Sequence, residues 1–318
     1  MIKTVILDAD TVTGGDVSLS PITDICDCEI YGFSTDEELI DRIGDAEAVL
    51  TNKCRITREV MDACRNLKFI GVFATGYNNI DIVAAKEKGI CVCNVPGYST
   101  DSVAQHTFAL ILHHYSSIAK YANTVANGDW VYSKLFTYFN IPFYELSGKT
   151  LGIVGYGAIG KKVAKIALAF GMKVLIYTRT APQNDNTVEV VSLDELMTRS
   201  DVVTLHCPLT DKTEKMINER TLSLMKEGSL LINTSRGGVI DEPALAAALK
   251  NSKPAAAGLD VLTLEPMREN CVLRGLDNCY ITPHIAWAPK ETRDRLIGMV
   301  ADNIKGYLCG NIINNVAK

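Results

Sequence analysis

The sequence has no apolar run near the roughly 18 residues that a membrane span needs. Its first residues, 1–8, place an acid after a short apolar stretch, which fits a buried strand and not a signal peptide. Positive charge is not in excess either, because 32 Lys and Arg stand against 37 Asp and Glu and leave a net charge of −5. We therefore expect no nucleic-acid partner and no membrane surface as partner.

The ten cysteines show no C-x-x-C spacing and no pairing with histidines. Most lie in apolar runs, as Cys91 and Cys93 do, so we expect small buried side chains and no metal site. Free thiols are typical of a reducing compartment, which predicts a cytoplasmic protein. Low-complexity tracts and short-period repeats are also absent from the sequence.

A chain of 318 residues, 47% of them apolar, predicts two globular domains of roughly 150 residues each. Short apolar runs alternate with helical patterns, which indicates parallel sheets covered on both faces. The predicted strands are 4–9, 48–51, 69–74 and 90–95, then 151–155, 173–177, 201–206, 229–234, 255–261 and 280–282. The predicted fold class is α/β with two doubly wound parallel-sheet domains: a Rossmann dinucleotide-binding domain and a smaller flavodoxin-like substrate domain.

Two breaks in this pattern set the predicted domain boundaries. Pro96 and Gly97 end the first series, and a helix from about 289 to 308 follows the last strand. We predict a substrate domain of residues 1–97 and 290–318 and a dinucleotide-binding domain of residues 98–289. The segment 101–127 is predicted as one long helix, too apolar to be a solvated linker.

A glycine-rich loop is the strongest local motif. Gly155, Gly157 and Gly160 follow a predicted strand and open a helix that Gly171 closes as a cap. Gly155 would permit a tight turn, Gly157 the close approach of a pyrophosphate, and Gly160 the packing of helix on strand. A tight turn without any ligand is the alternative interpretation.

Three polar side chains follow successive predicted strands of the second series: Arg236, Glu265 and His284. If the strands are parallel, all three emerge at the edge where the glycine loop would hold a cofactor. An Arg can grip carboxylate oxygens, a His can donate a proton, and a carboxylate can keep that His protonated. This set suits a 2-oxo acid, although each residue alone is more often a solvated charge or a structural hydrogen-bonding group.

Along nearly its whole length the chain resembles the D-isomer-specific 2-hydroxyacid dehydrogenases. The resemblance is carried by TGYNNID (75–81), NVPGYSTDSVA (94–104), LSGKTLGIVG (146–155), NTSRG (233–237), GLDV (258–261) with EP (265–266), and TPHIAW (282–287). Within the family the chain is most similar to the hydroxypyruvate and glyoxylate reductases, also called glycerate dehydrogenases. The resemblance implies hydride transfer between a nicotinamide cofactor and C2 of a small acid, with hydroxypyruvate or glyoxylate ahead of pyruvate.

The same resemblance implies roles for individual residues. Arg236 would bind the substrate carboxylate and carbonyl, His284 would be the general acid/base, and Glu265 would pair with it. Asp260 would contact the nicotinamide side, and amides near Gly76 and Tyr77 would help to hold the carboxylate. The last helix would return to the first domain, and the region 98–150 would form a homodimer.

The predicted site residues form two sets. Those expected to bind the cofactor are Gly155, Gly157, Ala158, Ile159, Gly160, Thr178, Arg179, Thr180, Cys207, Pro208, Thr213, Thr234, Ser235, Asp260 and Ala286. Those expected to bind the substrate are Lys53, Thr75, Gly76, Tyr77, Arg236 and His284. Lys53 is equally compatible with a solvated loop lysine. The remaining histidines, His106, His113, His114 and His206, are expected to be structural.

Other activities remain as alternatives. A phosphoglycerate dehydrogenase is less favoured, because many carry a C-terminal regulatory domain and this chain ends at Lys318. A D-lactate type of dehydrogenase is also open, whereas formate dehydrogenases of the family have Gln where this chain has Glu265. The fold also serves as a nucleotide-sensing corepressor, but those proteins carry Pro/Ser-rich tails that are not found here.

The segment after the second strand of the dinucleotide-binding domain departs from the usual pattern. An NAD-specific site has an acid there to accept hydrogen bonds from the ribose 2′-hydroxyl. This strand ends in Thr178, Arg179 and Thr180, and no acid follows until Asp185. We therefore predict NAD(P) as cofactor with NADP favoured. The alternative is that Arg179 points into solvent and the site tolerates both cofactors.

Overall fold

Apolar runs of four or five residues form the central strands of a five-stranded parallel sheet, which the computed structural model places in the first of two units. The model describes residues 1–180 and 185–318, and the two units are Met1–Ser99 with Trp287–Lys318, and Thr100–Ala286. The sequence analysis set the domain boundaries two to three residues away, at 97/98 and 289/290.

The strand order of the first sheet is β2-β1-β3-β4-β5. Core clusters cover both of its faces, as expected for parallel central strands that are buried on both sides. Its elements in chain order are β1 (Ile2–Ile6), α1 (Ser20–Thr23), β2 (Cys26–Ile30), α2 (Leu39–Ile43), β3 (Ala48–Thr51), α3 (Arg58–Ala63), β4 (Phe69–Val72), α4 (Ile82–Glu87) and β5 (Cys91–Cys93).

The second unit holds a seven-stranded parallel sheet in the order β12-β11-β10-β9-β6-β7-β8, also packed on both faces. Its elements are α5 (Thr100–Ser116), α6 (Ile118–Ala126), β6 (Thr150–Val154), α7 (Ala158–Ala169), β7 (Lys173–Tyr177), β8 (Glu189–Val190), α8 (Leu193–Arg199), β9 (Val202–Leu205), α9 (Glu219–Ser223), β10 (Leu230–Asn233), α10 (Glu242–Lys250), β11 (Ala256–Leu259) and β12 (Cys279–Ile281). Short 3-10 helices occur at Ala9–Thr11, Asp36–Glu38 and Gly237–Val239.

The last helix, α11 (Lys290–Leu308), belongs to the first unit. Its apolar stripe, with Leu296, Ile297, Val300 and Ile304, joins the core cluster that contains Ile6 of β1. Spacings of three and four residues keep these side chains on one face of the helix. The predicted two parallel-sheet domains of α/β class are confirmed.

The segment predicted as one long helix is two helices, which corrects the expectation for 101–127. Helix α5 ends at Ser116, and Ser117 has φ 50°, a left-handed conformation that an α-helix cannot contain. The Ser117 hydroxyl donates to the carbonyl of Pro142 at 3.0 Å, which stabilises the break. The prediction of six strands for the second domain is also wrong, because the sheet has a seventh strand, β8.

Each sheet has one place where neighbouring strands connect outward in opposite directions. This switch point lies between β1 and β3 in the first unit and between β6 and β9 in the second. The loops after these strands leave a crevice at the carboxyl edge of the sheet, where ligands of open α/β sheets bind. The switch point of the second unit therefore locates its candidate site.

All ten cysteines are free, and most of them are buried or half-buried. Residues 1–180 and 185–318 contain no cluster of three or more His, Cys, Asp or Glu that could hold a metal ion. None of the helices formed by these residues is both long and apolar enough to span a bilayer.

Candidate active site

The glycine-rich loop joins β6 to α7 at the carboxyl edge of the seven-stranded sheet. Gly155 has φ 97°, and its N–H donates to the carbonyl of Tyr177 at 2.8 Å. A Cβ at Gly155 would lie 2.7 Å from the backbone of His206, so only glycine fits this turn. A Cβ at Gly160 would lie 2.2 Å from the Gly155 oxygen. These two glycines therefore pack the loop and α7 onto the sheet.

Gly157 has a different role. Its backbone is extended, with φ −79° and ψ −162°, and a Cβ there would meet no atom of residues 1–180 and 185–318 within 4 Å. Gly157 caps the N-terminus of α7, where Ala158 and Ile159 begin the first turn. The first backbone N–H groups of a helix have no partner within it, and the helix dipole favours an anion there. The open space beside these donors fits a pyrophosphate, so the loop fits a dinucleotide cofactor.

Thr178, Arg179 and Thr180 follow β7 directly. The Thr178 hydroxyl donates to the carbonyl of Thr180 at 3.3 Å, and Arg179 is exposed. The end of this strand therefore presents a cation and two hydroxyls. No carboxylate occupies the position at which an NAD-specific site has an acid.

The loop after β9 contains three of the predicted cofactor residues. The Thr213 hydroxyl donates to the carbonyl of Pro208 at 2.7 Å and accepts the N–H of Thr210 at 2.8 Å, which closes the loop 208–213. Burial raises the pKa of the Cys207 thiol to about 11, so this thiol is protonated at neutral pH.

His206 lies between β9 and this loop, beside the first glycine. Neither of its buried ring nitrogens has a hydrogen-bond partner within the described residues. Burial lowers the pKa of His206 to about 3, so the imidazole is neutral. A neutral imidazole has one donor and one acceptor, and neither is satisfied by the described residues.

Asn233 orients the loop that follows β10. Its amide nitrogen donates to the carbonyl of Arg236 at 2.9 Å, and its amide oxygen accepts from the N–H and hydroxyl of Ser235 at 2.9 Å. Arg236 Nη1 donates to the carbonyl of Ser235 at 2.7 Å. The buried Thr234 hydroxyl lies 3.1 Å from that of Thr107 in α5. The loop thus holds a half-buried guanidinium, which retains further donors for a carboxylate.

Glu265 and His284 are in hydrogen-bond contact at the same edge of the sheet. Glu265 Oε2 lies 2.7 Å from Nδ1 of His284, and Glu265 Oε1 accepts the N–H of Leu262 at 3.0 Å. His284 has φ 55°, a strained conformation for this residue, and its N–H donates to the carbonyl of Asp260 at 2.8 Å. Because Nδ1 faces the carboxylate, Nε2 is the ring nitrogen left for proton transfer.

Asp260 positions the segment that carries His284. Its side chain is 1% exposed and accepts from the Thr282 hydroxyl at 2.6 Å, the Ile285 N–H at 2.9 Å and the Ala286 N–H at 2.8 Å. His106 of α5 lies 2.9 Å from the Thr282 hydroxyl. The Asp260 carboxylate therefore binds the chain on both sides of residue 284. His106 contacts the Thr282 hydroxyl, which donates to this carboxylate. Sequence reasoning had assigned Asp260 and Ala286 to the cofactor and His106 to structure alone.

The predicted residues of the first unit follow β3 and β4. The Thr75 hydroxyl donates to the carbonyl of Val95 at 2.8 Å, and its carbonyl accepts from Asn94 Nδ2 at 2.7 Å. Gly76 is half-buried, and Tyr77 is 37% exposed. These bonds hold the short loop 75–77 against the end of the sheet.

Asp8 determines the conformation of the loop that carries Lys53. It is 2% exposed, and its carboxylate accepts N–H donors from Asn52 at 2.9 Å and from Lys53 at 2.6 Å. Cys54 N–H approaches the same carboxylate at 3.3 Å, and the Thr51 hydroxyl at 3.1 Å. Lys53 itself has an exposed side chain. An acid directly after a buried strand was visible in the sequence, but was interpreted only as the end of that strand.

A second carboxylate was also missed as a site residue. Asp185 accepts a hydrogen bond from Tyr156, the residue between Gly155 and Gly157, at 2.7 Å. The sequence places Asp185 too far beyond β7 to suggest this contact. Asp185 comes into contact with the glycine loop only in the folded structure.

The chain is similar to known proteins in both sequence and fold. The model of the D-isomer specific 2-hydroxyacid dehydrogenase NAD-binding domain matches residues 108–286. The hydroxypyruvate reductase of Blautia hydrogenotrophica is 44% identical over 99% of this chain and 100% of its own length. The chain belongs to this family. The glycerate dehydrogenase of Methylorubrum extorquens is 42% identical over 89% of each chain.

A solved relative agrees with this membership. The D-lactate dehydrogenase of Aquifex aeolicus, whose structure is complexed with NAD and lactic acid, is 33% identical and superposes with a TM-score of 0.83. The match covers 97% of this chain and 96% of that one. The expected family, fold and class of enzyme, a nicotinamide-dependent 2-hydroxyacid dehydrogenase, are thereby confirmed.

Proposed function

We propose that this dehydrogenase reduces a small 2-oxo acid at C2, with hydroxypyruvate or glyoxylate preferred to pyruvate. The observation that carries the proposal is the pair of Glu265 and His284 at 2.7 Å, at the edge of the sheet that also bears Arg236 and the glycine loop. The relatives named hydroxypyruvate reductase and glycerate dehydrogenase, at 44% and 42% identity, support this choice of substrate.

His284 acts as the general acid. Its Nδ1 is engaged by Glu265, so Nε2 donates the proton to the oxygen of the forming alkoxide. Asp260 holds the segment through its bonds to Ile285 and Ala286, which keeps the imidazole in place.

Arg236 binds the carboxylate of the substrate. Its planar guanidinium can make two parallel hydrogen bonds to carboxylate oxygens, and Asn233 fixes the loop that carries it. We assign further carboxylate contacts to the backbone of Gly76 and Tyr77, with Thr75 and Lys53 as additional substrate residues. The loop bonds of Thr75 support its inclusion.

The cofactor is assigned to the glycine loop and the strand ends of the second unit. A bound reduced nicotinamide would supply the hydride to C2. Gly157, Ala158 and Ile159 offer the open N-terminus of α7 to its pyrophosphate. The other assigned contacts are Gly155, Gly160, Thr178, Arg179, Thr180, Cys207, Pro208, Thr213, Thr234, Ser235, Asp260 and Ala286.

NADP is the proposed preferred cofactor. Arg179 and two threonine hydroxyls stand at the end of β7, where an acid would otherwise repel a 2′-phosphate. A hydrogen bond to a charged group contributes about 1.5 to 3 kcal/mol, or roughly ten- to 150-fold in affinity. Arg179→Ala should therefore lower the affinity for NADPH by that order and leave the affinity for NADH nearly unchanged.

A second copy of the chain is the proposed partner of residues 98–150. Eight large apolar side chains between 130 and 144 are exposed, and none of the residues of α6 is buried. Monomeric proteins rarely expose so much contiguous apolar surface. Sedimentation should give a dimer for the wild type and a monomer for Phe136→Asp, whose side chain is 89% exposed. A monomeric wild type would refute this assignment.

Turnover with a panel of 2-oxo acids tests the function. We expect oxidation of NADPH with hydroxypyruvate and glyoxylate, and a lower kcat/KM with pyruvate. If the wild type binds NADPH but turns over none of these acids, the proposed reduction is refuted. That result would favour the nucleotide-sensing alternative. Wild type at least about tenfold better with NADH, a difference of about 1.4 kcal/mol, would refute the cofactor preference alone.

A further inference from the structure

A carboxylate stands beside the glycine loop in addition to the groups assigned above. The Tyr156 hydroxyl donates to Asp185 Oδ2 at 2.7 Å. Asp185 Oδ1 accepts from the N–H of Thr187 at 3.1 Å and from its hydroxyl at 2.5 Å. These bonds, first to the Thr187 side chain and then to Tyr156, lower the pKa of Asp185. The group is therefore a fixed negative charge at neutral pH.

Tyr156 is suited to hold this charge. Burial, followed by the bond to Asp185, raises the pKa of Tyr156 to about 12, so the phenol remains a donor. Lys161 Nζ lies 5.9 Å from the centre of its ring. A hydrogen bond from a neutral hydroxyl to a carboxylate is one of the stronger types in proteins. The contact therefore fixes the carboxylate relative to the loop.

The position of this pair bears on the adenosine end of the cofactor. Gly155, the neighbour of Tyr156, donates its N–H to the carbonyl of Tyr177, the last residue of β7. The ribose of a dinucleotide binds at this junction between the glycine loop and the end of the second strand. Arg179 follows Tyr177 by two residues, and Tyr156 holds Asp185 beside the glycine loop.

We propose that Asp185, positioned by Tyr156, is a specificity-determining residue that disfavours a ribose 2′-phosphate and so limits the preference for NADP that Arg179 provides. The inference rests on the proposed binding of a nicotinamide cofactor at the glycine loop. The two residues oppose each other, because one attracts and the other repels the same phosphate. The second carboxylate follows β7 by eight residues and acts through its charge, not as the strand-end acid of an NAD-specific site.

Direct binding of NADPH and NADH, measured by nicotinamide fluorescence, tests the proposal without turnover. Asp185→Asn should lower the Kd for NADPH by about three- to tenfold, the range expected when one charge acts on a phosphate through water. The Kd for NADH should stay within about twofold, since it has no 2′-phosphate. Tyr156→Phe keeps the ring but releases the carboxylate, so it should change NADPH binding in the same direction by less.

Glu189→Gln is the matched control. It removes an equal charge four residues along the chain, but Glu189 is paired with Arg199 at 2.7 Å and lies in register with Leu175 in the middle of β7. Both dissociation constants should stay within about twofold in this variant. An equal gain for NADPH in Glu189→Gln would mean that net charge alone is responsible, which would overturn the role of Asp185.

Two further results would overturn the proposal: an unchanged Kd for NADPH in Asp185→Asn, or a loss confined to NADH, which would make Asp185 a ribose ligand. Arg179→Ala, measured in parallel, separates this inference from the proposed function. If Arg179→Ala has no effect and Asp185→Asn still strengthens NADPH binding, the proposed NADP preference fails and the role of Asp185 stands. If no variant or wild type binds either cofactor, the proposed site itself fails.

Discussion

The two switch points of the molecule have the same topology, but one is occupied by a side chain of the protein and the other is open. In the first unit, Asp8 follows β1 and its carboxylate takes the N–H donors of Asn52 and Lys53 after β3. In the second unit, the loop after β6 leaves open space at Gly157. A crevice between parallel strands is thus filled by the chain's own anion in one unit and available to an external anion in the other.

This difference shows that the fold alone does not make a binding site. Buried backbone N–H groups need partners, and in the first unit an internal carboxylate satisfies them. In the second unit Gly157, at the start of α7, has no side chain to cap the helix, and among the described residues a Cβ there would meet open space. The crevice at Asp8 should therefore contribute to the stability of the first unit, and the crevice at Gly157 to cofactor binding. Each prediction below separates these two contributions.

The largest expected effect is on catalysis in the second unit. His284→Ala removes the proton donor, so kcat should fall by about 10² to 10⁴-fold. Cofactor affinity and stability should change little, because the imidazole is bound through Glu265 at the edge of the site and not in the core. Steady-state kinetics and a thermal melt measure these quantities.

The control for this variant is His113→Ala, an exposed histidine of α5 whose ring packs edge-on against Tyr280. Its kcat should stay within about twofold of wild type, since it contacts no site residue. A His284→Ala enzyme that kept more than about half of the wild-type kcat would remove His284 from the chemistry.

The first unit should respond in the opposite way. Asp8→Asn replaces a carboxylate that accepts backbone donors with an amide that turns one NH2 toward them. We expect a loss of about 2 to 3 kcal/mol in the free energy of unfolding, because buried hydrogen bonds to a charged group are lost. Hydrogen exchange should show faster exchange at the amides of residues 52–54.

The affinity of folded Asp8→Asn for NADPH should remain within about twofold of wild type. The substitution does not change the backbone N–H donors of the glycine loop. A large loss of cofactor affinity with unchanged amide exchange would contradict the structural role of this crevice. Asp10→Asn is the matched control, since Asp10 is an exposed acid two residues along the chain. It should change neither quantity.

The smallest expected effect is on the positioning of the proton donor. Glu265 Oε2 lies 2.7 Å from Nδ1 of His284. Glu265→Gln keeps the shape of the side chain but loses the carboxylate in this contact, so kcat should fall by about three- to tenfold, less than in His284→Ala. Steady-state kinetics measures this change, and an unchanged kcat in Glu265→Gln would mean that the pair has no role in positioning His284.

Short apolar runs and glycine spacing made much of the fold predictable. The strands Ala48–Thr51 and Lys173–Tyr177 have the predicted bounds, since their apolar runs are flanked by polar residues. The edge strand β2 was not predicted, because Cys26–Ile30 alternates with acids and is buried at Cys26 alone. The two-residue strand β8 is exposed throughout and has no apolar signal.

The candidate site also has contacts that the sequence predicts and contacts that it does not. The contact of Glu265 with His284 was predictable, because both residues follow strands of one parallel sheet. The contact of Tyr156 with Asp185 and the bonds of Asp8 to residues after β3 depend on loop paths that no local pattern specifies. The break at Ser117 is of this kind, because it depends on a tertiary bond to Pro142.

The open space at Gly157 is the central claim, and one substitution tests it directly. Gly157→Leu strains no backbone, because φ is −79° and ψ is −162°, and its Cβ would meet no atom within 4 Å in the described part of the chain. The loss at a helix N-cap should be at most about 1 kcal/mol in stability. The side chain would nevertheless fill the place assigned to the pyrophosphate.

Titration calorimetry of NADPH and NADH against wild type, Gly157→Leu and the control Gly298→Leu decides the matter. Gly298 lies in α11, and its Cβ would also meet no atom within 4 Å. The account predicts that Gly157→Leu folds normally and binds both cofactors at least about 100-fold more weakly, a difference of about 2.7 kcal/mol, while Gly298→Leu binds as wild type. Unchanged cofactor affinity in folded Gly157→Leu would contradict it.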